Sequence, residues 1–316
     1  VTGAAGFIGS HLVERLLERG DKVVVIDSFN DFYDPSIKRN NVREHLKHPN
    51  YQLIEGDIRS DVDLAKVFAV AKFDVVVHLA AMAGVRPSME QPALYMDINL
   101  VGTQKIIDHI LQQDNNARLV FGSSSSVYGM RSGESFSEDD LVNTPLSPYA
   151  ASKASGELLC YAAHYTRGLP VINLRFFTVF GPRQRPDLAI HKFCKLIDSG
   201  KPIDVFGDGT SKRDYTYVAD IVSGIEKSME VPFSGWEILN LGRSEPVVLM
   251  DMIQLIEKYL GKKAKIEHKP FQTGDMPYTF ANIERAQKLL GYEANYSFEQ
   301  GIKNFVEWFI STKQAV

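Results

Sequence analysis

The sequence predicts an α/β protein built on a doubly wound parallel sheet. Apolar runs of strand length at residues 23–26, 75–77 and 119–121 alternate with longer segments whose apolar residues recur at helical spacing. Strands that alternate with helices favour a parallel sheet covered on both faces. Ligands of such a sheet bind beyond the carboxyl ends of its strands, so residues that follow strands are the first candidates for function.

The first turn of the chain carries three glycines at three-residue spacing, Gly3, Gly6 and Gly9. Helical periodicity then runs to Gly20, and a buried strand ends at Asp27. In this order the glycines let the backbone approach a pyrophosphate at the helix N-terminus. A carboxylate at the end of the second strand accepts ribose hydroxyls and repels a 2′-phosphate, so Asp27 predicts NAD rather than NADP. Because a strand normally precedes such a turn, we expect a few of its residues to lie upstream of this sequence.

A tyrosine and a lysine four residues apart, Tyr149 and Lys153, follow Pro148, a residue suited to the first turn of a helix. Residues at this spacing share one helix face. A cation near a phenol favours its ionised form, so Lys153 is expected to lower the pKa of Tyr149 and let it act as acid or base near neutral pH. The alternative is ordinary helix surface, since the pattern is common by chance.

Two other strand ends carry polar side chains. Asp57 follows a predicted strand and is expected near the adenine, with a solvated loop carboxylate as the alternative. Four serines at 123–126 follow the strand at 119–121. They indicate a ligand-facing cluster or, alternatively, a polar loop.

Composition excludes several classes of function. A net charge of −4 gives no basis for nucleic-acid binding or for an acidic membrane surface. No apolar run reaches the roughly 18 residues that span a bilayer. No metal spacing of histidines is present, so no metal is expected. Cys160 and Cys194 are expected to be buried thiols of a cytoplasmic protein, and no signal peptide is visible.

We predict two regions. Residues 1–176 form the dinucleotide-binding domain, with a strand and a helix around 214–243 returning to it. Residues 177–316 are mainly the substrate-binding domain. The boundary is placed at a stretch rich in Pro, Gly and Arg at 177–187.

Several motifs together resemble the extended short-chain dehydrogenase/reductase superfamily: residues 2–9, 57–58, 78–81 and 123–129, Tyr149 with Lys153, and residues 213–215. Over essentially its full length the chain is similar to the nucleotide-sugar 4-epimerases of that superfamily. Residues 30–39, 83–88 and 175–187 are most similar to epimerases of UDP-glucuronate, enzymes of polysaccharide biosynthesis.

The resemblance implies a Rossmann domain with tightly held NAD and a transient oxidation of the sugar at C4. Tyr149 takes the proton of the 4-hydroxyl, Lys153 binds the nicotinamide ribose, and Ser124 hydrogen-bonds O4. The 4-keto sugar then rotates, and the hydride returns to its other face. The implied cofactor residues are Gly3, Gly6, Phe7, Ile8, Asp27, Asp57, Ile58, Leu79, Ala80, Ala81, Asn99, Ser123, Tyr149, Lys153 and Phe176.

The implied substrate residues are Arg86, Ser125, Ser126, Thr178, Arg185, Arg213 and Asp275. Arg213 is placed on the diphosphate and Asp275 near the uridine ribose; their alternatives are a surface arginine and a turn aspartate. Arg185 is a candidate partner of a substrate carboxylate, or else a diphosphate ligand or a surface residue.

The serine cluster also bears on the reaction. Related decarboxylases and 4,6-dehydratases carry acids where this chain has Ser125 and Ser126, so both reactions lose their expected catalysts. Neutral hydroxyls suit a uronate carboxylate, which acidic side chains repel. Galactose-type epimerases usually have Asn in place of Thr178. We therefore predict conversion of UDP-glucuronate to UDP-galacturonate.

Alternatives remain open at this stage. The first is a UDP-glucose/UDP-galactose 4-epimerase, followed by a decarboxylase or dehydratase. A non-catalytic NAD-binding regulator is disfavoured because such proteins usually lack the tyrosine or the lysine. Helices near 94–112 and 149–166 resemble those of a homodimer interface in the family, although their amphipathicity equally fits packing on the sheet.

Overall fold

The computed structural model describes residues 1–113, 117–131, 135–270 and 278–314. Its strands are Val23–Asp27 (β1), Tyr51–Glu55 (β2), Val75–His78 (β3), Arg118–Ser124 (β4), Val171–Phe176 (β5), Thr178–Phe180 (β6), Pro202–Phe206 (β7), Lys212–Tyr217 (β8), Trp236–Leu241 (β9), Pro246–Val248 (β10) and Lys265–Lys269 (β11). Its α-helices are Phe7–Arg19 (α1), Pro35–Val42 (α2), Asp61–Phe68 (α3), Val85–Glu90 (α4), Pro92–Met96 (α5), Gly102–Gln112 (α6), Pro148–Arg167 (α7), Ala189–Asp198 (α8), Val218–Glu230 (α9), Leu249–Leu260 (α10), Glu284–Leu290 (α11) and Phe298–Gln314 (α12). A π-helical segment, Asp97–Val101, joins α5 to α6, and short 3₁₀ helices cover His45–Lys47 and Ser125–Tyr128.

The large sheet is parallel throughout. β2 pairs with β1, and β3, β4, β5 and β9 pair in that order. Thr2 bridges Ile26 of β1 and His78 of β3, so it occupies the centre of the sheet between the two groups. The carboxyl ends of all these strands therefore lie at one edge, next to the glycine turn that follows Thr2.

Helices cover both faces of this sheet, which confirms the predicted fold class. Leu119 and Phe121 of β4 belong to the buried cluster that includes Ile107 of α6 and Cys160 of α7. Val120, between them in sequence, belongs to the opposite cluster together with residues of α1 and α9 such as Leu12. Alternate residues of a strand point to opposite faces, so a run that is apolar throughout fits a sheet buried on both sides.

A second region follows β5. β6, β8 and β10 form a small mixed sheet, and β7 pairs with β11 in a parallel pair. Helices α8, α10 and α12 pack against one another around them. The chain returns to the large sheet through α9, which packs on α1, and through β9, which pairs with β5.

Both cysteines, Cys160 and Cys194, are buried free thiols, as predicted. Within the described ranges, no helix is long and apolar enough to cross a membrane. The same residues contain no cluster of metal-ligating side chains.

We expect Gly156→Ala to lower the free energy of unfolding by about 1–3 kcal/mol, the usual range for overpacking. A Cβ atom at this position of α7 would stand 2.5 Å from Cζ of Phe121, a buried ring of β4. Alanine is intrinsically the better helix former by about 1 kcal/mol. Denaturant unfolding of the variant measures whether the free energy of unfolding falls or rises. The control Ser155→Ala on the same helix should change stability by less than about 0.5 kcal/mol, and a stabilising Gly156→Ala would contradict this close packing.

Candidate active site

A cavity of about 510 Å³ opens at the carboxyl edge of the large sheet. It is lined by the glycine turn, by residues that follow β1, β2, β3, β4 and β5, and by α7. Of the predicted site residues, Asn99 and Arg86 do not line it, and Asp275 lies outside the described residues. All the others do.

The glycine turn forms one end of the cavity. Gly3 has φ +68°, and a Cβ on it would stand 2.7 Å from the amide nitrogen of Ala80. A Cβ on Gly9 would collide with the carbonyl oxygen of Gly3. The turn is therefore packed too tightly for side chains, and the backbone of the first turn of α1 is left open to the cavity.

Asp27, at the end of β1, is held by backbone donors. Its Oδ2 accepts the amide N–H of Ala5 at 2.9 Å, and its Oδ1 accepts that of Phe29 at 2.9 Å. Phe29 has φ +47°, so the chain turns sharply just after the acid. The carboxylate is thus fixed at the cavity wall beside the glycine turn.

Asp57 also reaches the cavity, next to Ile58. Its carboxylate forms an ion pair with Arg59, with Nη2 to Oδ2 at 2.6 Å, and this hydrogen bond lowers the pKa of Asp57. Arg59 bridges to Asp97 as well. Asp57 therefore lines the cavity, but its negative charge is already paired with Arg59.

Helix α7 places Tyr149 and Lys153 at the cavity. The Ser147 hydroxyl accepts the N–H of Ala150 at 3.1 Å and caps the helix, and Pro148 occupies its first turn. Lys153 is buried, whereas Tyr149 is half-buried. Lys153 Nζ donates to the Gly122 carbonyl of β4 at 2.7 Å. The helix is thereby tied to the end of the strand that carries the serines.

The expected effect of Lys153 on Tyr149 is not what the structure shows. Burial raises the pKa of Tyr149, while a hydrogen bond from Ser124 and the charge of Arg185 lower it without reversing the direction. Burial also lowers the pKa of Lys153 to about 8, opposed by Cys160 and Glu157. Our expectation of a lowered tyrosine pKa was wrong for the chain by itself, because the loss of hydration outweighs the neighbouring cation and hydroxyl.

The serine cluster lines the cavity at the end of β4. The Ser126 hydroxyl donates to Ser124 Oγ at 2.9 Å, and Ser124 in turn hydrogen-bonds the Tyr149 phenol. Ser123 takes no part in this hydrogen-bonded row. Its hydroxyl donates to the Glu157 carboxylate at 2.5 Å. The three hydroxyls of Ser126, Ser124 and Tyr149 are thus connected in a row.

Acidic side chains are confined to one end of the cavity. Among the described lining residues, Asp27 and Asp57 are the only carboxylates, and both belong to the end with the glycine turn. The other end of the lining, with the serine cluster, contains hydroxyls, among them Thr178 at the start of β6, together with apolar side chains such as Phe177 and Val179 and the cations Arg185 and Arg213. This second end is suited to an anionic or hydroxylated ligand.

Arg185 connects two loops above this end. Its Nε and Nη2 donate to Asp187 at 3.0 and 2.8 Å, and its guanidinium lies 5.3 Å from the ring centroid of Phe32 in the loop after β1. Burial acts to lower the pKa of Arg185, but the bond to Asp187 and the charge of that carboxylate outweigh it and the pKa is raised. Arg185 is therefore a cation with a partner already in place.

Two predicted site residues, Asn99 and Arg86, make contacts outside the cavity lining. Asn99 lies in the π-helical segment; its amide donates to the Met82 carbonyl at 2.9 Å and to Ser152 Oγ at 2.9 Å, and its Oδ1 accepts the Met82 N–H at 2.7 Å. It therefore shapes the cavity loop after β3 instead of lining the cavity. Arg86 stacks on Phe206 with 4.9 Å to the ring centroid, away from the lining.

Sequence reasoning missed the side chains of the loop after β1. Lys38 is buried and donates to the Asn30 carbonyl and Oδ1 at 2.8 and 2.6 Å, and both residues line the cavity with Phe32 and Tyr33. The stretch at 30–39 had been noted for its resemblance alone. An asparagine three residues and a lysine eleven residues after Asp27 were the signal that could have assigned them.

Comparisons with known proteins agree with this geometry. A family model described as GDP-mannose 4,6 dehydratase matches residues 1–305. A UDP-glucuronate 4-epimerase of Thermodesulfobacterium geofontis is 42% identical over 309 residues, covering 98% of this chain and 94% of that protein.

Solved structures are similar over nearly the full length. The UDP-glucuronic acid 4-epimerase of Bacillus cereus, in complex with UDP-glucuronic acid and NAD, superposes with a TM-score of 0.91 at 37% identity and covers 98% of both chains. The UDP-glucose 4-epimerase of Thermotoga maritima, with UDP-glucose, superposes with a TM-score of 0.90 at 29% identity and covers 99% of this chain and 98% of the other. The chain therefore belongs to the GDP-mannose 4,6 dehydratase family, within the extended short-chain dehydrogenase/reductases that its motifs predicted.

Proposed function

We propose that the chain is an NAD-dependent 4-epimerase that interconverts UDP-glucuronate and UDP-galacturonate. One observation carries this proposal: a single cavity joins a dinucleotide-type glycine turn to a Tyr149–Ser124 pair and to a subsite lined by hydroxyls without a carboxylate. The relatives named as UDP-glucuronate 4-epimerases support the same reaction.

The residues present fit NAD. The glycine turn leaves the backbone at the start of α1 free of side chains that would block a pyrophosphate, and Asp27 stands at the cavity wall, where it can accept ribose hydroxyls. A 2′-phosphate there would meet like charge, which favours NAD over NADP. When bound, NAD supplies the acceptor and donor of the C4 hydride, so the net redox change is zero.

Tyr149 is the group that removes and returns the proton of the 4-hydroxyl. Ser124 hydrogen-bonds the phenol and therefore lies where it can also contact sugar O4. The Ser124 hydroxyl gives the phenolate a donor as it forms. Lys153 adds a positive charge on the same helix face, held against the sheet by Gly122.

The hydroxyl-lined subsite argues for a uronate. Oxidation at C4 places a ketone β to the C6 carboxylate, and β-keto acids lose carbon dioxide readily. An epimerase must hold that carboxylate away from the alignment that cleaves the C5–C6 bond. Ser125, Ser126 and Thr178 can donate charge-assisted hydrogen bonds, worth roughly 1.5–3 kcal/mol each. A side-chain carboxylate in their place would repel the substrate.

A UDP-glucose 4-epimerase is the second candidate, favoured by one feature of the site. Arg185 already pairs with Asp187 and therefore needs no substrate carboxylate to balance its charge. The Thermotoga maritima structure shows that a close fold acts on the neutral hexose.

We further propose that two copies associate through α7. Leu158, Tyr161 and Tyr165 are exposed on one face of this helix, and Val101, just before α6, is exposed too. Spacings of three and four residues place the first three on a single stripe.

The free thiols and the sugar-nucleotide substrate are compatible with a cytoplasmic enzyme of polysaccharide biosynthesis.

Tyr149→Phe is expected to lower turnover by about 10²-fold or more while NAD stays bound, because only the proton-transfer group is lost. Product chromatography measures the turnover, and cofactor released on denaturation measures the binding. Tyr165→Phe, at an exposed position of the same helix, is the matched control. Near-normal turnover, or loss of NAD from the variant, would count against the assignment.

The substrate is tested by incubating the protein with UDP-glucuronate and with UDP-glucose separately and resolving the products by chromatography. The wild type should convert UDP-glucuronate faster. In Ser126→Ala/Thr178→Val this rate should fall by about tenfold or more, since two charge-assisted hydrogen bonds are lost, and UDP-pentose is the expected side product. UDP-glucose turnover serves as the internal control and should change far less. Faster conversion of UDP-glucose by the wild type would establish the second candidate.

Leu158→Glu/Tyr165→Glu is expected to convert a dimer into a monomer, because charges placed in an apolar interface lose their hydration. Light scattering coupled to size exclusion gives the mass. Leu141→Glu changes a residue as exposed as Tyr165 but outside the helix, and it should leave the mass unchanged. A wild-type protein that is monomeric at micromolar concentration contradicts the proposed interface.

A further inference from the structure

The chain between β6 and α8 leaves the cavity wall and then returns to it. Thr178 and Val179 line the cavity before this excursion, and Arg185 and Leu188 line it afterwards. Residues 180–184, which connect the two parts of the wall, do not belong to the lining. Their contacts elsewhere therefore decide where the wall resumes.

Two side chains of α1 hold this connection. Nη2 of Arg183 donates to Oε1 and Oε2 of Glu14 at 3.2 and 2.9 Å. His11 Nε2 lies 2.9 Å from the Pro182 carbonyl oxygen, and because a carbonyl only accepts, Nε2 carries the proton and donates. Burial and the charge of Arg183 lower the pKa of His11 to about 4, so the imidazole is neutral at working pH. The charge partner of Glu14 is therefore Arg183.

The backbone passes this anchorage on toward the cavity. Arg183 has φ +63°, a left-handed conformation that a residue other than glycine keeps only where its surroundings fix it. The next residue, Gln184, is buried, and its N–H donates to the Gly181 carbonyl at 3.1 Å. His191 Nδ1 lies 2.6 Å from the Gln184 carbonyl oxygen. The turn that leads from Arg183 to Arg185 is thus held at each step.

We propose that Glu14 is a positioning residue, which through its ion pair with Arg183 fixes the turn that places Arg185 at the substrate end of the cavity. The inference rests on the proposed function, in which that end binds a UDP-sugar. Helix α1 thus serves both ends of the cavity. Its first turn lines the cavity beside the glycine turn, and its following turns hold the chain that completes the opposite wall.

The contacts of Arg185 itself do not supply this anchorage. Its ion-pair partner, Asp187, is two residues away on the same segment and moves with it. Stacking on Phe32 ties the guanidinium to another loop. The Glu14–Arg183 pair, by contrast, joins the segment to a helix that packs on the large sheet. It is therefore the contact that can set the position of Arg185 relative to the sheet.

Trypsin measures how firmly the turn is held. It cleaves after arginine and lysine but not before proline, so in this turn it can cut after Arg183 but not after Arg185, which precedes Pro186. The side chains of Glu14 and Arg183 are 43% and 23% exposed, and pairs this exposed contribute little to global stability. Glu14→Ala should therefore fold normally, while the cut after Arg183 in the NAD-loaded protein becomes about threefold faster or more. Fragment masses identify the cut.

Glu18→Ala is the matched control for this digestion. It removes a carboxylate one turn further along α1 that pairs with Arg15 instead, and the cut after Arg183 should keep its wild-type rate. An unchanged rate in Glu14→Ala overturns the proposal. Faster cleavage spread over the whole chain overturns it too, because that pattern reports a general loss of stability.

Substrate affinity decides whether Glu14 acts through Arg185. Calorimetry on NAD-loaded protein in a Tyr149→Phe background, which prevents turnover, gives the dissociation constant of the UDP-sugar that the wild type converts. Glu14→Ala should weaken binding by about threefold or more when Arg185 is present. In Arg185→Met the same substitution should have no further effect, because the group that it positions is already gone.

An equal loss of affinity in both backgrounds shows that Glu14 acts by another route and overturns the proposal, as does no loss in either. If the wild type epimerises neither UDP-glucuronate nor UDP-glucose, the proposed function fails. The trypsin digestion still decides in that case whether Glu14 holds the turn, since it needs no substrate.

Discussion

The site depends on holding one buried cation, the ammonium of Lys153, at the carboxyl edge of the sheet. Removing an isolated charge from water costs several kcal/mol even after the protein relaxes. Here the Gly122 carbonyl accepts from Nζ at 2.7 Å, and the ring of Phe121 lies 5.1 Å from it. These contacts bind α7 to β4. Because Tyr149 is one turn earlier on α7, the interactions that stabilise the lysine also set the position of the phenol relative to the serines.

The acidity of Tyr149 illustrates how burial and charge compete. Enclosure alone favours the neutral phenol, while Ser124 and Arg185 favour the phenolate. Arg185 belongs to the segment after β6, whereas Ser124 and Tyr149 belong to the large sheet and its helices. The second region therefore affects the pKa of Tyr149 and also contributes to the walls of the cavity. The acidity of Tyr149 thus depends on residues from both regions.

Charge is distributed unevenly along the cavity. The lining carboxylates, Asp27 and Asp57, lie at the end with the glycine turn, and the hydroxyls of the serine cluster and Thr178 lie at the other end. Arg185 links the loop after β1 to the segment after β6 through its contacts with Phe32 and Asp187. The side-chain carboxylates that line the cavity are thus separate from its serine-lined part.

Local sequence was sufficient for the fold class and for most of the residues that line the cavity. Gly3 and Asp27, and Tyr149 with Lys153, act through spacings of a few residues, and the backbone of one turn or one helix sets such spacings. Strands followed by polar residues indicated one edge of the sheet, because parallel strands all end there.

Contacts between distant segments had to be learned from the tertiary structure. Asn99 serves Met82 and Ser152 rather than the cavity, and the Glu157–Arg175 pair forms only when α7 lies on β5. The direction of the Tyr149 pKa was also decided there, since desolvation depends on every atom that encloses the phenol. Spacing along the chain determines which side chains share a face, whereas burial and the partners across the sheet determine their charge.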